Sequence, residues 1–475
     1  MMEIDSENRT GFLVNFVWKN AKDKEVPIHV YDLDSVLQCL LPVFTQPSFQ
    51  THVEVLLGWI MCLSRRTEYG VFQTIRAGTP ISRTQRHPFD RFYNFFSRSA
   101  WTVQDLAHQI CVAVVVRLNP RGRLHLVVDD TLLSKHGKHV YGLGWFRDAA
   151  ASTPKRTVIS SGNHWVVMGL AIRIPGTNRI FCLPIHAKLH ISGKGQPGEA
   201  ALARQMLGDV LAWFPERKLV FIGDGAYSAK HLLGNLNPRV THVGVMRGDA
   251  ALYSPHPPKQ RKGKCGRKPR KGARLPSPRE AVKKADCRQG GTWVWRTVKA
   301  TAYGVRRAFK VLTYEALWPR VAGSTPIMVV LVRDPLGKFK DKYLYTTDPS
   351  ADPVWVIERS SWRWSIEVAF KAGKQVMKIA SPQHWCQQSI EKLSPWVWLM
   401  QSVIGLWYIN EGQKLPQARA ARHRLGDWDT EWSLHHMLRV LHRVILEQTI
   451  TLNSATKADM CDIIHLLENY LNLAV

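Results

Sequence analysis

Lys218-Leu-Val-Phe-Ile-Gly-Asp224-Gly-Ala-Tyr-Ser228 is the stretch that decides the fold class. Four apolar residues in a row, bounded by a lysine and a glycine, read as a short strand covered on both faces. An aspartate and a glycine turn close it. Helical spacing precedes it from about Gly198 to Phe214 and follows it from about Ala229 to Leu236, and a further strand is expected from Thr241 to Met246. This alternation predicts α/β architecture with a partly parallel sheet.

Upstream, Leu124-His-Leu-Val-Val-Asp129-Asp130 is a β-branched run ending in two carboxylates and followed by Thr131. His164 to Ile174 and Arg179 to His186 read as two more strands joined by the turn Pro175-Gly-Thr-Asn178. Three strands in meander, then helix, strand, helix, strand, allow the first and fourth strands to lie side by side in parallel. Asp129, Asp130 and Asp224 are then expected at the C-terminal ends of two strands, the edge on which α/β sheets build their sites. A single aspartate at a strand end is more often a turn or cap residue, so the weight rests on the combination.

The combination is completed by Ser361-Trp-Arg-Trp-Ser-Ile-Glu-Val-Ala-Phe-Lys-Ala-Gly-Lys-Gln-Val-Met-Lys378. At about 100° per residue, Arg363, Glu367, Lys371, Lys374 and Lys378 share a helical stripe roughly 80° wide, bordered by Trp364 and Phe370. Trp362, Ile366, Ala369, Ala372, Val376 and Ala380 form the opposite, packing face. A solvated amphipathic helix is the plain alternative. A lone carboxylate among cations stays ionised, able to hold a divalent metal while its neighbours hold phosphates. With Glu367 packed near the strand ends, three carboxylates could hold two Mg²⁺ ions about 3.5–4 Å apart.

Composition agrees with a polyanionic partner. Lys+Arg 65 against Asp+Glu 37 gives a net charge of +28 over 475 residues, and phosphate neutralisation with counterion release makes nucleic acid the first expectation. No run reaches the ~18 apolar residues of a spanning helix, and the N-terminal residues carry no signal-peptide pattern, so no membrane partner is expected and the chain reads as cytoplasmic. The 8 cysteines are scattered without a Cys-x-x-Cys pair and read as reduced thiols.

Five segments are expected. Residues 1–117 are helical, with Arg65, Arg66, Arg83, Arg86, Arg91 and Arg98 placed to contact DNA. Residues 118–248 and 353–410 make the core, and residues 249–352 hold a basic loop and a β-rich insertion. Residues 411–475 add helices, including one from Thr456 to Leu473, for protein contacts. The loop cations Arg261, Lys262, Lys264, Arg267, Lys268, Arg270 and Lys271 are expected to meet phosphates. Strands are expected over Thr292–Val298, Arg307–Thr313, Pro326–Val332 and Lys342–Thr346, with Trp293 and Trp295 on one face of the first, either able to stack on an unstacked base.

Arg363-Trp364-x-Ile366-Glu367-x-x-x-Lys371-x-x-Lys374 resembles the Y-x2-R-x3-E-x6-K signature of the DDE transposases of bacterial insertion sequences and composite transposons. Asp130-Thr131 after its strand looks like that family's first catalytic aspartate, with Asp129 as the alternative, and Phe221-Ile-Gly-Asp224-Gly-Ala-Tyr looks like the second. The resemblance spans about residues 120 to 380, and Ser360 stands where the signature has tyrosine. It implies an RNase H-like mixed sheet flanked by helices, with Asp130, Asp224 and Glu367 as catalytic metal ligands for two Mg²⁺ ions, Mn²⁺ substituting. It implies cleavage at transposon ends and strand transfer into target DNA. Arg363 and Lys374 would hold phosphates near the cut, and the bacterial, nucleoid-associated protein would act on double-stranded DNA as a homodimer; Lys371 and Lys378, on the same helical stripe, are expected to bind DNA beside them. A non-catalytic DNA-binding relative and an RNase H-like nuclease are the alternatives.

Overall fold

The computed structural model describes residues 17–19, 25–27, 33–62, 66–78, 88–148, 151–153, 155–174, 176–257, 271–287, 293–337, 339–418 and 432–453. The helix expected from Thr456 to Leu473, the loop cations up to Arg270, and Arg65, Arg83 and Arg86 lie outside them. The chain forms two compact units, one of residues 1–102, 381–383 and 403–475, the other of residues 103–380 and 384–402.

The first unit carries a two-stranded ribbon, β1 (Val17–Lys19) and β2 (Glu25–Pro27), and the helices α1 (Leu33–Gln38), α2 (Gln46–Met61), α3 (Glu68–Gly78) and α4 (Pro88–Ser97). Helix α2 packs on α3 and α4. Its core is aromatic: Phe44 stacks on His52 at 4.7 Å, and Phe95 on Trp101 at 5.1 Å. Two arginines expected to face DNA are used internally. Arg66 Nε donates to the Trp59 carbonyl at 2.9 Å, and Arg91 pairs with Glu54, whereas Arg98 is exposed.

The second unit opens with α5 (Val103–Leu118) and is built on a ten-stranded mixed sheet. Its strands are β3 (Leu124–Ser134), β4 (Gly144–Arg147), β5 (Ile159–Arg173), β6 (Ile180–His190), β7 (Leu219–Ile222), β8 (Val240–Val245), β9 (Arg296–Ala302), β10 (Val305–Leu317), β11 (Pro326–Arg333) and β12 (Lys342–Thr346). Strands β6, β5 and β3 form the antiparallel meander, and β3 continues in parallel to β7 and then β8. This is the order expected of an RNase H-like core. Beyond β8 the strands β12, β11, β10 and β9 are all antiparallel, so the β-rich stretch lengthens the same sheet. Strand β5 is buried without a break from Gly162 to Ile172, as a central strand covered on both faces must be; each large apolar side chain buried there contributes about 1.5–3 kcal/mol.

Helix α6 (Glu199–Trp213) packs on β5 and β6, with α5 beside it. Helix α7 (Lys230–Leu233) is a single turn, shorter than the expected helix, and α8 (Pro278–Asp286) begins at a Ser277/Glu280 capping box. Helix α9 (Pro353–Trp362), capped by Asp352, and helix α10 (Trp364–Gln375) meet at Arg363. Helix α11 (Gln387–Asn410) follows, its residues 387–402 belonging to this unit, and α12 (Leu434–Asn453) belongs to the first unit.

Four local expectations are corrected. Strand β3 does not stop at the aspartates: its antiparallel pairing with β5 carries it on to Ser134. Trp293 and Trp295 precede β9, which starts at Arg296, so they share no strand face. Phe370 does not border the basic stripe; it is buried against Trp398 at 5.5 Å. Lys378 leaves the stripe because α10 ends at Gln375: Ile379 N–H reaches back to the Gly373 carbonyl at 3.1 Å and Lys378 takes φ 53, a left-handed stop with lysine where glycine is usual.

Candidate active site

The α9–α10 junction places Arg363 at the N-cap of α10 and Glu367 in its first turn. From that position Arg363 Nη2 donates to Glu367 Oε1 and Nη1 donates to Asp129 Oδ2, each at 2.5 Å. One guanidinium therefore joins two carboxylates that lie far apart in sequence. Burial works against the charge on Arg363, but Asp129, Glu367 and Asp224 outweigh it and raise its affinity for the proton.

Asp129 is itself crowded. Burial, with Asp130 and Asp224 acting in the same direction, pushes its carboxyl up to about 7, although Arg363 and the backbone N–H of Asp130 pull the other way. Asp224 stands just beyond β7 in a turn where its Oδ1 accepts from the Ala226 N–H at 2.8 Å. A side chain at Gly223 would come within 2.8 Å of Tyr227, so glycine is required there. Ser228 pins the turn by donating to the Val245 carbonyl at 2.8 Å and accepting from the Tyr345 hydroxyl at 2.9 Å. Tyr227 is fully buried, its hydroxyl has no hydrogen-bond partner, and Asp130, Asp129, Asp224 and Glu199 add to burial in raising its pKa well above the usual phenol value.

The tandem aspartates point to opposite faces because side chains alternate along β3. Asp129 faces α10. Asp130, the residue preferred from sequence, turns away from it: its Oδ2 accepts from His164 Nε2 at 2.8 Å. It thereby joins a group that sequence reasoning missed, made of His164, His190 opposite it on β6, and Glu199 at the start of α6. Among the described residues these three bring three ligand atoms within 4.8 Å of one another; Asp129, Asp224 and Glu367 form no such group.

The expected DNA contacts fall in several places. Lys371 and Lys378 are exposed. Lys374 is half-buried, and burial lowers its pKa against the pull of Asp148. Trp364, beside Arg363, is 52% exposed, whereas Trp293 packs edge-on to Tyr314 and Trp295 donates to Asp286 under the Arg333 guanidinium. Lys271 lies over the Tyr253 ring at 3.9 Å.

A mixed α/β sheet carries aspartates on β3 and just after β7, and helix α10 carries a glutamate that shares the Arg363 guanidinium with the first of them. The family model described as "DDE superfamily endonuclease" matches residues 39–307, more than half of the chain, and the chain belongs to that family. Such endonucleases work with a divalent metal. No curated protein sequence matches the chain. Among solved structures, a piggyBac transposase synaptic complex with hairpin DNA is similar at 12% identity and a TM-score of 0.42, covering 92% of this chain and 85% of that one. No helix among the described residues is long and apolar enough to cross a membrane.

Proposed function

We propose that this chain is a DDE transposase that cleaves the DNA ends of its own element and joins the freed 3′-hydroxyl to target DNA. The observation that supports it most directly is the meeting of Asp129 and Glu367 on one guanidinium, with Asp224 close enough for its charge to raise the Asp129 carboxyl. Asp129 replaces Asp130 as the first acidic ligand in this reading, on the strength of which face of β3 meets α10.

The donor set fits a hard divalent cation: oxygen ligands only, mutually repelling, one of them held at a raised pKa until a cation relieves it. Asp129, Asp224 and Glu367 would hold Mg²⁺, which when bound supplies activation of the attacking oxygen and stabilisation of the leaving one. The chain's own groups supply the rest. Arg363 turns from carboxylate to phosphate when cations neutralise the acids, and its planar fork suits a scissile phosphodiester. Lys371 and Lys374 extend the positive face, and the cations of residues 261–271 follow the flanking duplex. Trp364 is the exposed aromatic best placed beside Arg363 to stack on a displaced base.

Glu367→Gln keeps shape and removes charge. It should abolish Mg²⁺-dependent cleavage of DNA carrying the sequences that flank the coding region, with DNA affinity changed less than about threefold. Normal cleavage by this variant would reject the assignment, and cleavage by the native chain without any joined product would leave a nuclease.

A further inference from the structure

We infer that His164, His190 and Glu199 form a second, separate site for a transition-metal ion, Zn²⁺ by ligand type. The inference does not rest on the transposase reading. His164 Nδ1 lies 3.2 Å from His190 Nδ1 and 3.8 Å from Glu199 Oε1, and His190 Nδ1 lies 3.6 Å from that same oxygen. A point equidistant from these three atoms is about 2.1 Å from each, the distance at which zinc binds imidazole nitrogen and carboxylate oxygen. The geometry is therefore that of a metal triangle before any atom moves.

The neighbouring groups fit the same purpose. Asp130 accepts from His164 Nε2 at 2.8 Å, which fixes the proton on Nε2 and leaves the Nδ1 lone pair turned toward the triangle. This is the carboxylate–histidine–metal arrangement in which the outer carboxylate orients the ligand. Phe146 stacks on the His164 ring at 4.7 Å and lies 5.8 Å from that of His190, so the site has an apolar wall. The histidine side chains are 9% and 14% exposed and that of Glu199 39% exposed, which leaves an open fourth position on the Glu199 side.

Nitrogen-rich donors also separate this site chemically from the all-oxygen set across the sheet, so Zn²⁺ and Mg²⁺ would distribute between the two. A bound ion would clamp the start of α6 to the β5–β6 hairpin. Through Asp130 it would also stiffen β3 next to Asp129.

The test uses the untagged full-length chain, freed of metal by chelator and titrated with Co²⁺ in excess Mg²⁺. One Co²⁺ per chain should bind with the visible d–d bands of a four- or five-coordinate site, and Zn²⁺ should displace it. His190→Ala should weaken Co²⁺ binding by more than about 100-fold. Asp130→Asn, which removes only the orienting carboxylate, should weaken it by about 10–100-fold. Glu199→Gln, on the exposed side, covers the case in which the histidine variant fails to fold, and Glu367→Gln should leave the bands unchanged. Absence of the bands, or wild-type affinity in Glu199→Gln, overturns the inference and leaves the nuclease reading untouched; a chain inactive on DNA with intact bands does the reverse.

Discussion

Asp129→Asn and Asp130→Asn are adjacent, isosteric and predicted to behave in opposite ways. With the folded-state carboxyl of Asp129 at about 7 against an ordinary value of 3.8, ionising it in the fold costs about 4 kcal/mol more than in the unfolded chain, at about 1.36 kcal/mol per pH unit. The folded pKa is the higher one, so the fold is unpenalised below pH 4, loses stability as pH rises toward 7, and carries the whole cost above 7. Asparagine mimics the protonated acid. In chelator at pH 8, Asp129→Asn should therefore unfold at a higher denaturant concentration than the native chain, and at pH 4 the two should coincide. Adding Mg²⁺ should stabilise the native chain and leave the variant unmoved, because the ion binds the carboxylate form and shifts stability by mass action. In plasmid nicking, Asp129→Asn should lose at least about 10²-fold in rate, the scale of removing one electrostatic contact to the reacting centre. Asp130→Asn should lose less than about tenfold. Full activity of Asp129→Asn, or an inactive Asp130→Asn with Mg²⁺ stabilisation intact, would refute the assignment of faces along β3.

Gly373 is placed so that an added Cβ would meet Trp398 at 2.2 Å. Gly373→Ala should thus destabilise the second unit by about 1–3 kcal/mol and reduce cleavage by displacing the helix that carries Glu367, measured by denaturant midpoint and nicking rate together. Replacing the cations of residues 261–271 should flatten the salt dependence of DNA binding by about 0.9 in logarithmic slope per phosphate contact removed, and an unchanged slope would exclude the loop from the interface. Burial lowers the pKa of His52 and His242 to about 3, as it does that of His125 with Arg359 and Arg123 nearby, and lowers that of His442 to about 4. These folded-state values lie below the unfolded one, so the stabilisation is complete above about pH 6.5 and is lost as pH falls toward 3. His242→Phe, in a site between the Phe221 and Tyr345 rings where neither nitrogen has a partner, should reduce the acid slope by close to one proton.

Much of the core was legible because hydrophobic runs and their order suffice to specify it: the buried strand before Asp224, the helices either side of it, and the parallel approach of β3 and β7 all follow from pattern and chain connectivity. What was not legible depends on phase. Whether Asp129 or Asp130 faces α10 is decided by the pleat of a strand that runs on to Ser134, and that extension is set by pairing with β5, not by β3's own residues. The histidine pair shows the same effect more sharply. Counting back from the β5–β6 turn in uniform register sets His164 opposite Leu189. The irregularity between Met168 and Gly169 moves the partner by one residue to His190, and so brings two imidazoles together on the face where Asp130 and Glu199 already lie. The end of α10 was hidden for a different reason, since a stop with lysine in the left-handed region carries none of the glycine that normally announces it. Both carboxylate-bearing faces of β3 thus owe their chemistry to the strand beside it: β5 fixes the register that sends one aspartate to Arg363 and the other to His164.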